Sequence, residues 1–388
     1  MIRSCEKWLW GYFRSVLGRQ YRPFAPSHLM FCVADHFEPF WNGASHRDAL
    51  ARIGRWTQEY PEAVDDFRDS DGIAPRHTMF YPEEEYRPDC IGRLESLLCS
   101  GHAELELHLH HRNDTEQGLR SKIEKFRDIL SREHGLLGRN TQGEVKYGFV
   151  HGNWALCNSL PDGDWCGVND ELGVLCETGC YADFTFPSAP SPTQPRIVNS
   201  IYRASDIDGK PRAHDYGVPV VAGDERPRQA SELILIQGPL GLDWRRRKYG
   251  LLPRLDNAEV SGVNVPLGSR IDLWVRQAVG IRNRPEWVFV KVHTHGCVDS
   301  NADVLLGEPM RQAHEYLRDH YNDGVNWSLH YVSAREMYNI VRAAEDGKDG
   351  QPGAYRDYEI SLPSCCLPND CDSRIHTSKQ RDIGYAQE

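Results

Sequence analysis

Short apolar runs alternate with amphipathic helical patterns along most of the chain. Seven apolar runs predict buried strands, at residues 29–34, 77–81, 103–109, 147–150, 181–186, 287–292 and 327–332. Periodic patterns between them predict helices at 46–60, from Pro88 to Gly101, at 119–130, 169–178 and 308–321, and from 333 to 344. Pro61 is expected to end the first of these helices, and Ser333 with Glu336 to form a capping box for the last.

Strands that alternate with helices are typical of an α/β fold with a parallel sheet. Seven such units predict a distorted (β/α) barrel, with an open doubly wound sheet as the alternative. Residues 1–28 form an N-terminal extension, 29–346 the barrel and 347–388 a C-terminal tail. The rhythm breaks at about 187–268, where Pro, Gly and Arg are frequent and only 233–237 resembles a strand, so this stretch is predicted to be an insertion or lid.

Composition narrows the functional classes. The chain has 388 residues, of which 40% are hydrophobic, so a mostly disordered protein is excluded. The net charge of −11 argues against nucleic acid or an anionic membrane as the general partner. The apolar runs are too short for a membrane-spanning helix.

The N-terminus and the cysteines bear on location. Charged residues interrupt the apolar stretch of residues 1–19, which makes it a poor export signal, and none of the twelve cysteines forms a CxxC pair. We therefore expect a cytoplasmic protein with reduced thiols. The aromatic stretch at 8–13 is expected to pack against the core, with a peripheral membrane contact as the alternative.

Polar residues with catalytic potential collect where the predicted strands end, which is where parallel sheets bind ligands. In chain order they are Asp35, His36, His108, His110, His111, His151, Trp154, Tyr181, Asp183, His293 and His295. Placement after several separate strands is hard to attribute to chance, although the chain has 17 histidines.

The spacing of the histidines favours a metal site. His108 and His110 lie two apart and share one face of a strand, as His293 and His295 do, whereas His111 faces away unless the strand has already ended. Neutral imidazoles with one carboxylate suit a divalent metal, zinc first. Asp35 or His36 completes the set, and both contribute only if the strand ends or bulges between them.

Each of the remaining candidate site residues is open to two interpretations. His293 or His295 is a candidate general acid or a second metal pair, and Asp183 orients a catalytic histidine or caps a turn. His151 and Trp154 contact substrate or pack in the core. The acidic run 83–85 is a solvated surface or reaches the site.

The order of these motifs resembles the polysaccharide deacetylase family, the family-four carbohydrate esterases of the glycoside hydrolase/deacetylase barrel superfamily. The matching segments are 34–36, 100–108, 151–154, Asp183 and 292–293, within residues 29–345 without the insertion. Two positions depart from the family pattern. His36 stands in place of the second aspartate, and Arg112 stands four residues after His108, where the family has its second metal-binding histidine.

The resemblance implies a metal-dependent hydrolase that removes an N- or O-acetyl group from a carbohydrate, either a polysaccharide or its precursor. It implies that Asp35 accepts a proton from water, that His293 protonates the leaving amine and that Asp183 orients a catalytic group. The metal ligands would come from His36, His108, His110 and His111, and substrate contacts from His151, Trp154, Tyr181 and His295.

Three alternatives remain open. A glycoside hydrolase of the same superfamily would use two carboxylates among Asp35, Glu38 and Asp183. An amidohydrolase or phosphoesterase would use a His-x-His metal pair. A catalytically inactive barrel would only bind carbohydrate, and the missing second aspartate favours this reading.

Overall fold

The computed structural model describes residues 4–20, 26–160 and 162–366. Its helices are α1 (Cys5–Leu17), α2 (His46–Val64), α3 (Pro88–Cys99), α4 (Glu116–Arg132), α5 (Glu171–Thr178), α6 (Gly268–Gln277), α7 (Asp299–Leu305), α8 (Glu308–Tyr321) and α9 (Ala334–Glu345). Its strands are β1 (Ser27–His36), β2 (His77–Pro82), β3 (Ala103–Leu109), β4 (Tyr147–His151), β5 (Cys180–Asp183), β6 (Ile201–Ala204), β7 (Val218–Pro219), β8 (Leu233–Ile236), β9 (Gly241–Lys248), β10 (Leu252–Asp256), β11 (Gly280–Ile281), β12 (Arg284–Thr294) and β13 (Trp327–Tyr331).

The fold is mixed α/β with a mostly parallel central sheet. The strands β12-β1-β2-β3-β4-β5-β8 pair in that order and all run parallel. Antiparallel strands extend both ends, with β6 and β7 beyond β8 and β11 beyond β12. The first half of β1 also pairs in parallel with β13. The carboxyl ends of the parallel strands therefore meet at one edge.

The predicted strands and helices all have counterparts, β3 and α8 at the predicted bounds and most others with shifted ends. The predicted capping box is confirmed, because the side chains of Ser333 and Glu336 bond reciprocally to each other's backbone. The prediction that the first helix ends at Pro61 is wrong, since α2 continues to Val64. Pro61 lies in the last turn, where it removes only one helical hydrogen bond, and Tyr60 and Val64 on either side are buried.

The stretch 187–268, predicted as an insertion or lid, takes part in the main sheet. β8 lies within it and pairs in parallel with β5, and β6 then pairs antiparallel with β8. Only the hairpin β9–β10 forms a separate two-stranded sheet. The strand at β8 was recognised from the sequence, but not its pairing with β5, and β6 has only four residues, too few to show a periodicity.

Residues 347–366, predicted as the start of a tail, pack against the domain instead. Arg356 donates to the carbonyl of Tyr331 and forms ion pairs with Asp69 and Asp71, both at 2.8 Å. Asn339 of α9 bonds the backbone of Ile360, which is buried. The rest of the predicted tail, 367–388, lies outside the described residues.

Helix α1 contacts the domain through Trp8, which is fully buried against Ala189, Val198 and Leu240. Trp10 and Phe13 on the same helix are exposed. Within the described ranges, none of the helices combines the length and apolar character needed to cross a bilayer.

Each face of the sheet has its own core. Leu29, Phe31 and Val33 of β1 belong to a large cluster with the helices on the outer face. Met30, Cys32 and Ala34 alternate with them and belong to a second cluster, on what we call the inner face. Six residues of α9 belong to this inner cluster: Ala334, Met337, Tyr338, Ile340, Val341 and Ala344.

A buried histidine in α8 predicts a loss of stability in acid. Burial lowers the pKa of His314 from 6.5 to about 3. As the pH falls below 6.5, His314 becomes protonated in the unfolded chain but stays neutral in the folded protein. The free energy of unfolding therefore falls. We expect His314→Phe to reduce the drop in unfolding free energy between about pH 7 and about pH 4.5 by roughly 2 kcal/mol, measured by urea denaturation.

The matched control is Leu317→Ala, on the same buried side of α8. It should lower stability by a similar amount at both pH values, because it removes apolar contacts and no titrating group. A His314→Phe protein with the pH dependence of the wild type would contradict the prediction.

Candidate metal centre

The end of β1 separates two residues that the sequence left as alternatives. Asp35 lies on the outer face, where its Oδ2 is 2.8 Å from His77 Nε2 and its Oδ1 accepts from the backbone N–H of Gly296 at 2.6 Å. His36 lies on the inner face. No bulge brings the two side chains together, so only His36 joins the histidines at the sheet edge.

Five residues converge at this edge, and we call them the His36 group: His36, Glu38, His108, His110 and His295. The ring of His36 lies 4.8 Å from that of His108 and 4.7 Å from that of His295, between centroids. Potential ligand atoms of His36, Glu38 and His295 lie within 4.8 Å of one another, and so do those of Glu38, His108 and His110. Glu38 belongs to both sets.

Glu38 supplies the carboxylate of the group. Its Oε1 is 3.0 Å from His108 Nε2 and 3.4 Å from His110 Nε2. Its Oε2 is buried and has no hydrogen-bond partner among the described residues. Burial raises the pKa of Glu38 to about 7, so this carboxyl exchanges a proton near neutrality.

The inner histidines of the group are neutral. Burial, and then the neighbouring imidazoles, hold the pKa of both His36 and His108 well below the ordinary value. The Nδ1 atoms of these two rings are buried without a partner in the part of the chain that is described. Neutral imidazoles with an unused nitrogen are what a divalent metal requires.

His110 differs from the other rings because it has a carboxylate of its own. Its Nδ1 lies 2.5 Å from Glu84 Oε1. Although burial opposes it, this hydrogen bond raises the pKa of His110 above its ordinary value. The side chain of His110 is 32% exposed, so a charged imidazolium at the mouth of the group can reach a ligand.

Two tryptophans border the group. Trp154 lies 6.1 Å from His36 and 6.2 Å from His295, and Trp41 lies 5.3 Å from His295, between ring centroids. Trp41 is 41% exposed. Both rings are placed to contact a ligand that enters from solvent.

Three other predicted site residues have different contacts or a different protonation behaviour. Asp183 accepts from the hydroxyl and backbone N–H of Thr185, and the hydroxyl of Tyr181 donates to Glu106 in the inner core. His293 is buried, which lowers its pKa to about 3 and leaves it a poor proton donor. Within the described chain, the side chains of Asp183, Tyr181 and His293 make no hydrogen bond to the His36 group.

His111 and His151 form a different group. Their rings are 4.6 Å apart, and Cys166 and Glu171 join them. His111 faces away from His108 and His110 even though β3 ends at Leu109, before it. Although burial opposes it, the carboxylates of Asp114 and Glu171 raise the pKa of His111 to about 9.

The chemistry of the His36 group fits a divalent metal. Four imidazoles and one carboxylate converge, and several of their polar atoms are buried and unpaired among the described residues. No protein-family model matches this sequence, and no curated protein matches it either. The functional argument therefore depends on the site itself.

Sequence reasoning gave Glu38 only a minor place, as one carboxylate of the glycoside hydrolase alternative, and left Glu84 undecided. The signal for Glu38 was present, because it lies two residues after His36, the same spacing as between His108 and His110. The contact between Glu84 and His110 joins two strand ends, and no local pattern could have shown it.

The position of His110 depends on a glycine in the neighbouring strand end. A Cβ atom at Gly152 would overlap the ring of His110. We expect Gly152→Ala to displace this ring and to lower the unfolding free energy by about 1–3 kcal/mol through overpacking, measured by urea denaturation.

A double-mutant cycle provides the control. In a His110→Ala background the ring is gone, so the added methyl of Gly152→Ala should change stability little. Equal effects in both backgrounds would show that the glycine serves another purpose.

Proposed function

We propose that this protein is a metal-dependent hydrolase whose active site is the His36 group. The observation that carries the proposal is the convergence of neutral imidazoles, a carboxylate with a pKa of about 7 and a separate His–Glu pair at one sheet edge. The neutral imidazoles suit metal binding, the carboxylate suits water activation, and the His–Glu pair suits proton donation.

His36, His108 and His295, of which the last two have rings beside that of His36, would hold the metal. When bound, the metal would act as a Lewis acid and polarise the carbonyl group to be cleaved. Three protein ligands leave further coordination positions open, as hydrolytic sites require. Zinc is the first candidate because it favours imidazole ligands.

Glu38 takes the role of base that the resemblance implies for Asp35. Both oxygens of Asp35 are engaged, by His77 and by the backbone of Gly296. Glu38 is on the correct face and has a free oxygen among the described groups. Its pKa near 7 allows it to take a proton from water at neutral pH.

His110 takes the role of proton donor in place of His293. Glu84 stabilises the charged ring of His110, which is partly exposed at the mouth of the site. A departing amine or alcohol needs a proton, and His110 can give one and recover it from solvent.

For the substrate we propose an acetylated carbohydrate, with release of an N- or O-acetyl group. The support is the resemblance of the strand-end motifs and the two tryptophan rings beside His295, since aromatic faces bind sugars. The glycoside hydrolase alternative loses support because Asp35 and Asp183 are held by other groups. An inactive carbohydrate-binding barrel is the outcome if no hydrolysis is found.

We also propose that the sheet curves into a distorted barrel. Lys291 of β12 donates to the carbonyls of Phe184 and Phe186, beyond the end of β5. A Cβ atom at Gly238, two residues after β8, would overlap the carbonyl of Lys291. The two ends of the parallel sheet therefore approach each other, and residues from both share the inner cluster.

The barrel predicts a strong effect of one methyl group. Gly238→Ala should lower the unfolding free energy by about 2 kcal/mol or more, because backbone cannot yield as a side chain can. Gly92→Ala in α3, where a Cβ meets nothing within 4 Å, is the control and should be neutral or stabilising. A harmless Gly238→Ala would favour an open sheet. Urea denaturation gives both values.

The hydrolase proposal is tested by metal content and acetate release. His108→Ala should lose one equivalent of metal and about 100-fold or more in kcat/KM on N-acetylated sugars, whereas Glu38→Gln should keep the metal and lose about 10²–10⁴-fold in kcat. The surface variant His320→Ala should match the wild type. Full activity of Glu38→Gln would refute the assignment of the base, and no hydrolysis by metal-loaded wild type would favour the inactive barrel.

A further inference from the structure

A second cluster lies apart from the proposed active site. We call it the His111 group: His111, His151, Cys166 and Glu171. His111 follows β3, His151 ends β4, Cys166 lies in the loop before α5 and Glu171 begins α5. All four are buried, with at most 3% exposure, so the group has no open path for a substrate.

Glu171 lies at the centre of this group. Its Oε1 is 3.1 Å from His111 Nε2 and 3.8 Å from His151 Nε2, and its Oε2 is 3.3 Å from Cys166 Sγ. Potential ligand atoms of all four residues lie within 4.8 Å of one another. The backbone N–H of Cys157 donates to Glu171 Oε2 at 2.7 Å and helps to hold the carboxylate in place.

The backbone fixes the cysteine against the histidine. The N–H of Asp114 donates to the carbonyl of Cys166 at 2.9 Å, and that of Asn113 to Asp164 at 3.1 Å. Gly167 has a φ of +93°, and a Cβ atom there would overlap the backbone of residues 113 and 114. This close approach brings Cys166 to the side of the histidine pair.

The surroundings of the two rings match those of metal ligands. Asp114 Oδ2 lies 3.5 Å from His111 Nδ1 and 2.7 Å from Lys122 Nζ, so a carboxylate lies behind the ring without a hydrogen bond to it. His151 Nε2 is buried and has no partner among residues the structure describes. His151 Nε2 is the ring nitrogen that lies towards Glu171. The backbone N–H of Asn153 donates to the other ring nitrogen, His151 Nδ1, at 3.2 Å.

We propose that the His111 group binds one zinc-type divalent ion as a closed structural site. Two imidazoles, one thiolate and one carboxylate make a four-ligand set of the kind zinc takes, and their two negative charges neutralise the ion. Binding releases to solvent the thiol proton of Cys166 and the proton that His111 shares with Glu171. The ring proton of His151 moves from Nε2 to Nδ1, and the long bond from Asn153 is given up.

The ion would tie together the ends of β3 and β4 and the loop before α5. His110 is next to His111 in the chain and belongs to the His36 group. Trp154 is close to His151 in the chain and borders the His36 group. The structural site therefore supports the geometry of the proposed active site, but its existence does not depend on the proposed function.

Cobalt distinguishes the two metal sites, because the His36 group contains no cysteine. We expect metal-free wild-type protein loaded with Co²⁺ to show a near-ultraviolet thiolate-to-cobalt charge-transfer band. The band should persist in His108→Ala and disappear in Cys166→Ser. Cys176→Ser, in α5 outside the group, should retain it.

Metal content and melting temperature provide a second readout. The wild type should bind two zinc equivalents, and His108→Ala and Cys166→Ser one each. Zinc should raise the melting temperature of His108→Ala, since binding to the folded state stabilises it.

Absence of the cobalt band in folded wild type, or its persistence in folded Cys166→Ser, would overturn the proposal. If Cys166→Ser does not fold, His151→Gln replaces it and should weaken the band and lower zinc affinity. An undiminished His151→Gln would count against the ligand set.

Discussion

Side chains along a β-strand point alternately to the two faces of the sheet, and this alternation decides which strand residues face the proposed site. On β3, Leu105 and Leu107 pack against the outer helices, whereas Glu106 and His108 face the inner side. On β1, the same rule sends His36 inward and Asp35 outward. The outer residues supply the apolar contacts that hold the helices. The inner residues bury their polar groups until, at the carboxyl edge, the His36 group reaches solvent.

The same rule explains which features could be predicted from sequence. The bounds of β3 and α8 agree with their sequence patterns, and β1 extends two residues beyond its predicted run at each end. Helices α1, α6 and α7 and strand β9 were not predicted. The gathering of His36, His108, His110 and His295 followed from strand ends and spacing. β8 was assigned to a lid, because four apolar residues among Pro and Gly carry no information about a partner strand. Asp35 lies among other neighbours than the sequence suggested, because the sequence alone does not decide which of the adjacent residues Asp35 and His36 faces inward.

What the sequence could not show depends on contacts between distant segments. The contacts are those of Glu84 with His110, of Gly296 with Asp35, and of Arg356 with Asp69 and Asp71. In each case the partners are far apart in the chain, so no local sequence pattern indicates the contact. These contacts decide which carboxylates are free for chemistry. Asp35 and Asp183 are held by fixed donors, whereas Glu38 keeps one oxygen unpaired in the described structure.

β1 pairs with β2 near it in the chain, but also with β12 and β13, which lie more than half the chain away. During translation β1 is synthesised long before β12 and β13, which are two of its three neighbours. Until they are made, the hydrogen-bonding edges of β1 are incompletely paired and open to pairing with other chains. The residues that end β1 and build the proposed site are thus assembled last, when synthesis of the domain is almost complete.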